Sequence, residues 1–512
     1  MNRGLSDFLA VAIVAAACAA YAILFGFINT DSWYYVQLAR SLRVGEGCSL
    51  GGHYFAVFPC GYPAMLALVA PSADFSAIMM ASKLVNFCLL LASFACLRAF
   101  VGVSWVAGFI AIAPATLLIA TYTWSENLFL LSTSLVLLLL KRLDRSAGVG
   151  GVVLLAIALL IGVSARYFFA PYAFALWLGT LVLYGRRTAL WSLPAFFVVA
   201  LGYVAYSLLN QHLTGYATGI ERRPSTETLT FLVSHFLWKV GTLDLAWTLA
   251  VLATLLALAG RSLRWQSPRE ALRGASREML FIVWAGGAFL LLALMLRIRA
   301  QYDLFSTRTI GPGLVFLLAG LAGLLMRPVP GKKIPAFATV VAGLLSLVIV
   351  QWPTIPEALR TVTQGHYRSV SWLLDDYAGR FKDKHYDAIL AFSIPGPSPF
   401  IMFNADLYYG TRARIIAPDT NPESTPDTVD TLAAKVAKYA EGQCAVDFTP
   451  YATRAQLEYH LDAMYDVDYT VSLDKGKPVR KKLRVYDPGL AQYVLDRFVP
   501  GAVVDCRAMF SK

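Results

Sequence analysis

Long apolar segments recur along this chain, and they restrict the folds open to it more than any other feature. We place them near residues 8–28, 77–99, 104–121, 127–140, 148–163, 168–184, 189–209, 236–259, 279–296, 310–326 and 334–351. A transmembrane helix needs about 20 mostly apolar residues, and in hydrocarbon a lone helix satisfies its own backbone hydrogen bonds. Hydrophobic residues make up 57% of the 512 residues and charged ones only 15%. We therefore predict a polytopic α-helical membrane protein with about eleven transmembrane helices.

Charge divides the chain at the end of the last apolar segment. Residues 1–352 carry 25 Lys and Arg against 12 Asp and Glu, a net charge of +13, whereas residues 353–512 carry 19 against 20, or −1. Basic residues favour cytoplasmic loops. If the N-terminus is cytoplasmic, 15 of the 25 Lys and Arg residues in 1–352 lie on the cytoplasmic side. The same topology places residues 353–512 on the outer side of the membrane. Membrane insertion and an anionic substrate explain the basic excess, and no nucleic acid is required.

The first outer loop, residues 29–76, is predicted to lie on the membrane surface. The segment "SWYYVQLARSLRV" has apolar residues at roughly helical spacing, interrupted by Gln37, Arg40 and Arg43, as in an interfacial helix. Glycines then break it, and "FPCGYPAMLALVAP" begins a short second helix. This loop could shelter a lipid tail.

Residues 353–512 are predicted to form one extracytoplasmic α/β domain. We expect strands at "YDAILAFS", "ARIIAP" and "QCAVDF", a helix at "DTVDTLAAKVAKYA" capped by Asp427, and a hairpin that turns at Lys475–Gly476. Disulfides persist outside the cytoplasm. We therefore expect Cys444 to pair with Cys506, and Cys48 with Cys60 as a second candidate pair.

Charged side chains gather at the predicted outer ends of the apolar segments. They are Asp31, Glu126, Arg166, Arg222, Arg223, Lys239, Asp244, Arg297, Arg299, Asp303 and Arg308. Each charge alone is explained equally well as a cap or a snorkelling anchor, and for Arg222 and Arg223, in a polar loop, that explanation is favoured. For the aromatic residues nearby, an interfacial belt is the favoured explanation; these are Trp33, Tyr34, Tyr35, Trp124 and Tyr167. Carboxylates and arginines together on one side instead favour a functional site.

Such a cluster suits transfer of a group from a lipid-linked phosphate to a hydroxyl. Arginines can hold the leaving phosphate through paired hydrogen bonds, and one carboxylate can take the proton of the acceptor. A single base is enough for inverting, single-step displacement. We also count His53, Tyr54 and Tyr167 as substrate-binding candidates, His53 being a hydrogen-bonding group rather than a metal ligand.

The quoted segments "DSWYYVQLARSLRVGEG", "GGHYFAVFPCGYPAMLAL" and "TWSENLFLLS" resemble the GT-C superfamily of integral-membrane glycosyltransferases, in particular bacterial members similar to protein mannosyltransferases and aminoarabinose transferases. The likeness is clearest over residues 1–140. It implies that Asp31 is the catalytic base and that Glu126 helps to form the acceptor or metal site.

The chain departs from that family at two places. It has "PCGYP" where aminoarabinose transferases carry Gly-Lys-Pro, which leaves Arg166, Arg308, His53 or Lys239 as the phosphate ligand. The frequent pair of acidic residues is reduced to Asp31 alone. Asp31 and Glu126 could share a divalent cation such as Mg²⁺ or Mn²⁺, whereas the mannosyltransferase-like relatives work without one.

These observations predict a glycosyltransferase in the bacterial cytoplasmic membrane. It would move a sugar from a polyprenyl-phosphate donor to a glycan, lipid or protein acceptor on the outer face, with Asp31 as base, Glu126 on the acceptor side, and Arg166 and Arg308 on the phosphate. A transporter or flippase of lipid-linked sugars is one alternative. A membrane scaffold for envelope glycan assembly is the other.

Overall fold

The computed structural model describes residues 3–25, 30–50, 53–219, 228–300, 305–332, 334–352, 388–392, 414–416, 418, 426–439, 443–448, 451–462, 464–467, 481–484 and 486–510. The chain divides into two compact units. The first consists of Met1–Phe27, Leu38–Ser49 and Tyr54–Tyr367, and the second of Ile28–Gln37, Leu50–His53 and Arg368–Lys512. The boundary predicted at residue 352 adjoins 353–387, which lie outside the described residues.

Helices dominate the chain up to Gln351. In order, the elements are α1 (Arg3–Phe25), α2 (Thr30–Arg43), β1 (Ser49–Leu50), β2 (His53–Tyr54), α3 (Gly61–Val69), α4 (Phe75–Val101), α5 (Ser104–Ile112), α6 (Pro114–Thr121), α7 (Glu126–Arg145), α8 (Val149–Ala165), α9 (Phe169–Leu183), α10 (Arg186–Thr214), α11 (Leu229–Lys239), α12 (Leu245–Ala259), β3 (Leu263–Trp265), α13 (Pro268–Arg273), α14 (Arg277–Ala300), α15 (Thr307–Leu325), β4 (Met326–Pro328) and α16 (Ala336–Gln351). The helices predicted in the first outer loop are α2 and α3.

Each of the eleven apolar segments contains helix within the described residues, as a polytopic α-helical membrane protein requires. Within the described ranges, six helices are long and apolar enough to cross a membrane, and α5 with α6 makes a seventh if the pair counts as one span. The shorter apolar helices α8, α9 and α16 have 15 to 17 residues. The count of eleven spans therefore stays a prediction.

Two apolar segments are not the single straight helices that the sequence predicts. Segment 104–121 consists of α5 and α6, which meet at a bend of 51°. Pro114, the first residue of α6, has no backbone N–H, and the residue before a proline favours extended geometry, as Ala113 shows with a ψ of 151°. Segment 236–259 contains a π-helical stretch, Val240–Asp244, between α11 and α12.

Helices α14 and α15 approach each other closely along a glycine seam, which we define as Gly286, Gly313 and Gly320. A Cβ on Gly286 would lie 2.6 Å from the carbonyl oxygen of Gly313, and one on Gly320 would lie 2.8 Å from the backbone nitrogen of Val283. A Cβ on Gly313 would lie 2.6 Å from the ring of Phe289. Small residues allow such backbone contact between membrane helices. The seam thereby fixes α15, which carries Arg308 in its first turn.

The second unit contains a four-stranded sheet. Its strands are β5 (Ala388–Ala391), β6 (Arg414–Ile416), β7 (Cys444–Asp447) and β10 (Val503–Asp505), and a separate antiparallel pair is formed by β8 (Met464–Val467) and β9 (Lys481–Arg484). The sheet order is β10-β7-β5-β6, with β5 parallel to β6 and β7 and with β10 antiparallel to β7. The strands predicted from "YDAILAFS", "ARIIAP" and "QCAVDF" are confirmed. The β8–β9 pair fits the predicted hairpin, whose turn at Lys475–Gly476 lies outside the described residues.

Helices α17 (Val429–Tyr439), α18 (Arg454–Leu461), α19 (Pro488–Asp496) and α20 (Cys506–Phe510) complete the second unit. The cap predicted at Asp427 is wrong. The side chain of Thr428 accepts the backbone N–H of Thr431 at 3.3 Å, while Asp427 bonds the hydroxyl of Thr431 and the ammonium of Lys435. The longer carboxylate is used for an ion pair, so the nearer hydroxyl caps the helix.

Candidate active site

Three charged side chains meet in the first unit. Oε1 of Glu126 accepts hydrogen bonds from Nη1 of Arg166 and Nε of Arg308, and the side chains are 6%, 13% and 13% exposed, respectively. We call these three residues the Glu126 cluster. The structure thus brings together three of the residues that the sequence singled out. Two guanidinium groups against one carboxylate leave the cluster with a formal charge of +1.

Local backbone structure places each member of the cluster at a helix end. Glu126 is the first residue of α7, after the turn that follows α6. Arg166 is the extended residue that ends α8. Arg308 is the second residue of α15, whose start is fixed by a reciprocal cap between Ser306 and Thr309. Polar side chains at helix ends reach one another without placing charge inside a span.

Trp124 forms a platform beneath one of the arginines. The guanidinium carbon of Arg308 lies 4.4 Å from the ring centroid of Trp124, and the ring of Tyr122 stacks on Trp124 at 4.4 Å. A guanidinium over an indole face is a favourable cation–π contact. Trp124 is only 5% exposed, so its assignment to an interfacial aromatic belt is wrong. Its role cannot be predicted from the sequence, because the short turn that buries it gives no periodic signal.

A small cavity of about 30 Å³ lies against the cluster. Its lining includes all three cluster residues, and on the apolar side Phe129, Phe168, Tyr172 and Phe289. Oε2 of Glu126 and the hydroxyl of Thr133, another lining residue, have no hydrogen-bond partner among the described residues. An ordered water needs about 10–15 Å³ and two or more polar partners. One or two waters therefore fit beside the carboxylate.

A buried lysine stabilises the backbone just before Glu126. Lys83 is 1% exposed, and its Nζ donates to the carbonyl of Thr121 at 2.9 Å and to Oγ1 of Thr123 at 3.2 Å. One turn further along α4, Asn86 donates to the carbonyls of Ala120 and Tyr122 at 3.2 and 2.7 Å. The carbonyls at the end of a helix lack partners within it. Lys83 and Asn86 satisfy these groups and so fix the turn that presents Glu126.

The outer loop is attached next to Arg166. Tyr54 donates its phenol proton to Oδ1 of Asn210 at 2.7 Å, Nδ2 of Asn210 donates to the phenol oxygen of Tyr167 at 2.9 Å, and Tyr167 donates to the carbonyl of Ala56 at 2.6 Å. Burial raises the pKa of Tyr167 to about 12 and also raises the pKa of Tyr54. Both phenols therefore stay protonated donors near neutral pH. Tyr54 and Tyr167 hold the loop, and Asn210, which the sequence analysis missed, joins them.

Both expected cysteine pairs are disulfides in the structure. Cys48 is bonded to Cys60 with their Cα atoms 6.3 Å apart, and Cys444 is bonded to Cys506 at 5.3 Å. The first bond closes the part of the outer loop that contains Tyr54 and Ala56. It therefore restrains the loop where it meets Tyr167.

Three other predicted site residues are not members of the Glu126 cluster. Asp31 is half-buried in the first turn of α2 and belongs to the second unit, so its role as base stays a prediction. His53 lies in β2, but its side chain is outside the described part of the chain. Lys239 lies with its ammonium 5.0 Å from the ring centroid of Trp238, and it does not line the small cavity.

The structure also bears on other charged residues that the sequence places at the outer ends of the apolar segments. Arg222, Arg223 and Asp303 lie outside the described residues. Asp244 ends the π-helical stretch and is buried there. Among the described residues, no group of three or more His, Cys, Asp or Glu side chains is placed to hold a metal ion.

Comparison with known proteins supports the fold. No protein-family model matches the sequence, and no curated protein is similar to it in sequence. Among solved structures, the chain is similar to ArnT from Cupriavidus metallidurans in the apo state, with a TM-score of 0.50 and 12% identity over 89% of this chain and 95% of that one. The same ArnT bound to undecaprenyl phosphate matches with a TM-score of 0.50, 13% identity and coverage of 90% and 95%. An oligosaccharyltransferase from Archaeoglobus fulgidus matches with a TM-score of 0.42 and 13% identity, over 88% of this chain and 69% of that one.

The fold is therefore similar to that of an integral-membrane glycosyltransferase of the GT-C superfamily, the class that the sequence resembles. ArnT is the aminoarabinose transferase of that class. At 12% identity the likeness is one of fold, and the chemistry of this chain has to be argued from its own residues.

Proposed function

We propose that this protein is a glycosyltransferase that takes a sugar from a polyprenyl-phosphate donor and passes it to a hydroxyl acceptor at the outer face of the membrane. The observation that carries the proposal is the Glu126 cluster, in which one buried carboxylate holds two mostly buried arginines within a GT-C-like fold. The undecaprenyl phosphate bound to ArnT suggests the kind of lipid phosphate that the arginines would receive.

The cluster can recognise a phosphate and stabilise it as it leaves. Each guanidinium has five N–H donors, and Oε1 of Glu126 accepts one from each. Glu126 therefore aligns the two arginines while leaving a net charge of +1 for the phosphate. Because the arginines are mostly buried, their attraction for the charge that develops on the leaving phosphate is stronger than in water.

Asp31 is the proposed base. As the acceptor oxygen attacks the anomeric carbon, its proton passes to the carboxylate of Asp31, and the bond from that carbon to the phosphate oxygen breaks. A single displacement inverts the anomeric configuration. Glycan, lipid or protein hydroxyls all satisfy this chemistry, and the half-buried position of Asp31 on α2 leaves its carboxylate partly accessible.

We propose that transfer proceeds without a divalent cation on Glu126. Its Oε1 is already bonded to two guanidinium groups, and their charge would repel a cation at the same carboxylate. Sugar transfer should therefore be unchanged by excess EDTA. Loss of activity in EDTA, restored by Mg²⁺ or Mn²⁺, would contradict this part of the proposal.

The proposal is tested with undecaprenyl phosphate and its sugar derivatives. The purified full chain in detergent should bind undecaprenyl phosphate, as measured by native mass spectrometry, and Arg166→Gln should weaken binding by at least tenfold. Arg187→Gln removes an exposed cation at the start of α10 and should leave binding unchanged. Equal binding by all three proteins would overturn the assignment of the phosphate site.

Turnover separates an enzyme from the two alternatives. The wild type should release undecaprenyl phosphate from one of a panel of hexose, pentose and aminopentose derivatives when cell-envelope extract supplies the acceptor. Asp31→Asn should lose this turnover and keep the binding of undecaprenyl phosphate. Translocation of the intact donor in vesicles without turnover would favour a flippase, and neither binding nor turnover would favour a scaffold.

A further inference from the structure

A second and much larger cavity lies in the first unit, far from the Glu126 cluster. We call it the Arg98 cavity; its volume is about 350 Å³. Arg98 lies near the end of α4, whereas Lys83 near the start of that helix reaches the turn before Glu126. The fifteen residues between them correspond to about 22 Å of helix. The Arg98 cavity is therefore separate from the candidate active site.

The polar part of the Arg98 cavity carries more positive than negative charge. The lining includes two cations, Arg98 and Lys332, against one carboxylate, Asp7, together with the hydroxyls of Ser6, Ser104 and Thr339. Nε of Arg98 donates to Oγ of Ser104 at 3.0 Å, which holds the guanidinium beside the start of α5. That helix end contributes partial positive charge as well. The polar lining thus favours an anion.

The lining also has apolar side chains, which are contributed by Val11, Phe94, Val103, Trp105 and Ile334. One water needs about 10–15 Å³, so 350 Å³ exceeds the space that a phosphate ion would fill. The volume lies within the usual range of about 300–1,000 Å³ for ligand pockets. A lining that combines charged and apolar side chains matches an amphiphile.

We propose that the Arg98 cavity binds the phosphate diester head group of an anionic phospholipid, with the glycerol and upper acyl chain against the apolar lining. The bias of basic residues predicts that this end of the bundle faces the cytoplasm, where anionic lipids are abundant and basic pockets between membrane helices bind their head groups. The ligand is distinct from the proposed donor lipid, and the proposal does not depend on the sugar-transfer chemistry.

Native mass spectrometry of the full chain in detergent tests this proposal, with phosphatidylglycerol and phosphatidylcholine as probes. The wild type should bind phosphatidylglycerol about tenfold more tightly than phosphatidylcholine, which has the same phosphate but no net charge. Lys332→Gln removes an exposed cation at the rim and should reduce the preference at least threefold. Arg187→Gln removes an equal charge elsewhere and should keep it.

A second variant tests the cavity by volume instead of charge. Gly108 lines the cavity, and a Cβ there would meet only Thr339, at an ordinary 3.8 Å. Gly108→Val should therefore fold, as judged by its unfolding temperature, and weaken phosphatidylglycerol binding at least fivefold. Millimolar inorganic phosphate should not protect the wild type against heating more than chloride of equal ionic strength does.

Two results would overturn the proposal. One is equal preference for phosphatidylglycerol in the wild type, Lys332→Gln and a folded Gly108→Val. The other is protection by inorganic phosphate without any lipid preference, which would assign the cavity to a soluble phosphate compound. Because the Glu126 cluster is untouched in every variant, a failure here leaves undecaprenyl phosphate binding intact and can be told apart from a failure of the proposed function.

Discussion

The Glu126 cluster and the Arg98 cavity, both in the first unit, differ in how their charged side chains are buried and paired. The Glu126 cluster buries its charges in direct contact beside a cavity of about 30 Å³, whereas the Arg98 cavity spreads its charges around about 350 Å³, with Lys332 exposed at the rim. Buried, mutually oriented charges are already in place before a reaction begins, which is how electrostatic catalysis works. Exposed, separated charges can adapt to a ligand and release it. The difference suggests chemistry in one region and reversible binding in the other.

The largest effect is expected from Arg308→Lys. Lysine keeps the positive charge but lacks the planar guanidinium that bonds Glu126 and stacks on Trp124. Loss of a contact made in the transition state typically lowers turnover by about 10²- to 10³-fold. The rate of undecaprenyl phosphate release measures it. Arg187→Lys is the matched control and should retain the wild-type rate. A rate for Arg308→Lys within threefold of wild type would contradict the difference between the two regions.

Glu126→Gln should destabilise the protein by about 3–5 kcal/mol, because it leaves two mostly buried guanidinium groups without their carboxylate. Thermal unfolding in detergent measures the loss. Asp7→Asn removes a carboxylate from the half-buried lining of the Arg98 cavity and should change stability by no more than about 0.5 kcal/mol. Equal effects of the two substitutions would show that both regions tolerate unbalanced charge alike.

Lys83→Met should destabilise by about 1–3 kcal/mol, because the carbonyl of Thr121 then loses a buried donor. The same measurement on Lys332→Met, at an exposed position, should show almost no change. Removing a buried charge can also stabilise a protein. A higher unfolding temperature for Lys83→Met would mean that other groups satisfy these carbonyls, and that Lys83 does not fix the turn before Glu126.

The smallest perturbation is a chemical mapping of thiols. Without reductant, mass spectrometry should find peptides linked through Cys48–Cys60 and Cys444–Cys506. Because disulfides persist in oxidising compartments, a bonded Cys48–Cys60 pair would assign the Arg166 side of the bundle to the outer face. Free thiols at Cys48 and Cys60 in protein from intact cells would contradict that orientation.

The sequence predicted the membrane class and the members of the Glu126 cluster for a clear reason. Charges are costly within apolar segments, so those at segment ends are conspicuous, and alternating topology places them on one side. The strands of the second unit followed from short apolar runs, such as "AILA" and "RII", in the same way. These signals depend only on local composition and can be read without knowing any contact.

What the sequence did not predict depends on contacts between distant segments. Lys83 lies inside an apolar segment, and its partners, Thr121 and Thr123, follow it by about forty positions. Asn210 likewise joins Tyr54 and Tyr167 across more than forty residues. A usable signal was present for Lys83, since a lysine with Asn86 one turn later inside an apolar segment needs buried partners. Pro114 in the middle of segment 104–121 was an equally readable sign of the bend.

The glycine seam between α14 and α15 has a consequence for genetics. Any side chain at Gly286, Gly313 or Gly320 would collide with the neighbouring helix, twice with its backbone, so a saturation screen scored by sugar transfer would rank these positions with Arg308 as intolerant. None of the three bears a group that could touch a sugar or accept a proton. A map of mutational sensitivity would therefore mark the glycine seam as strongly as the candidate active site. Protein yield, measured in the same screen, would distinguish the two, because substitutions in the seam should lower the amount of folded protein.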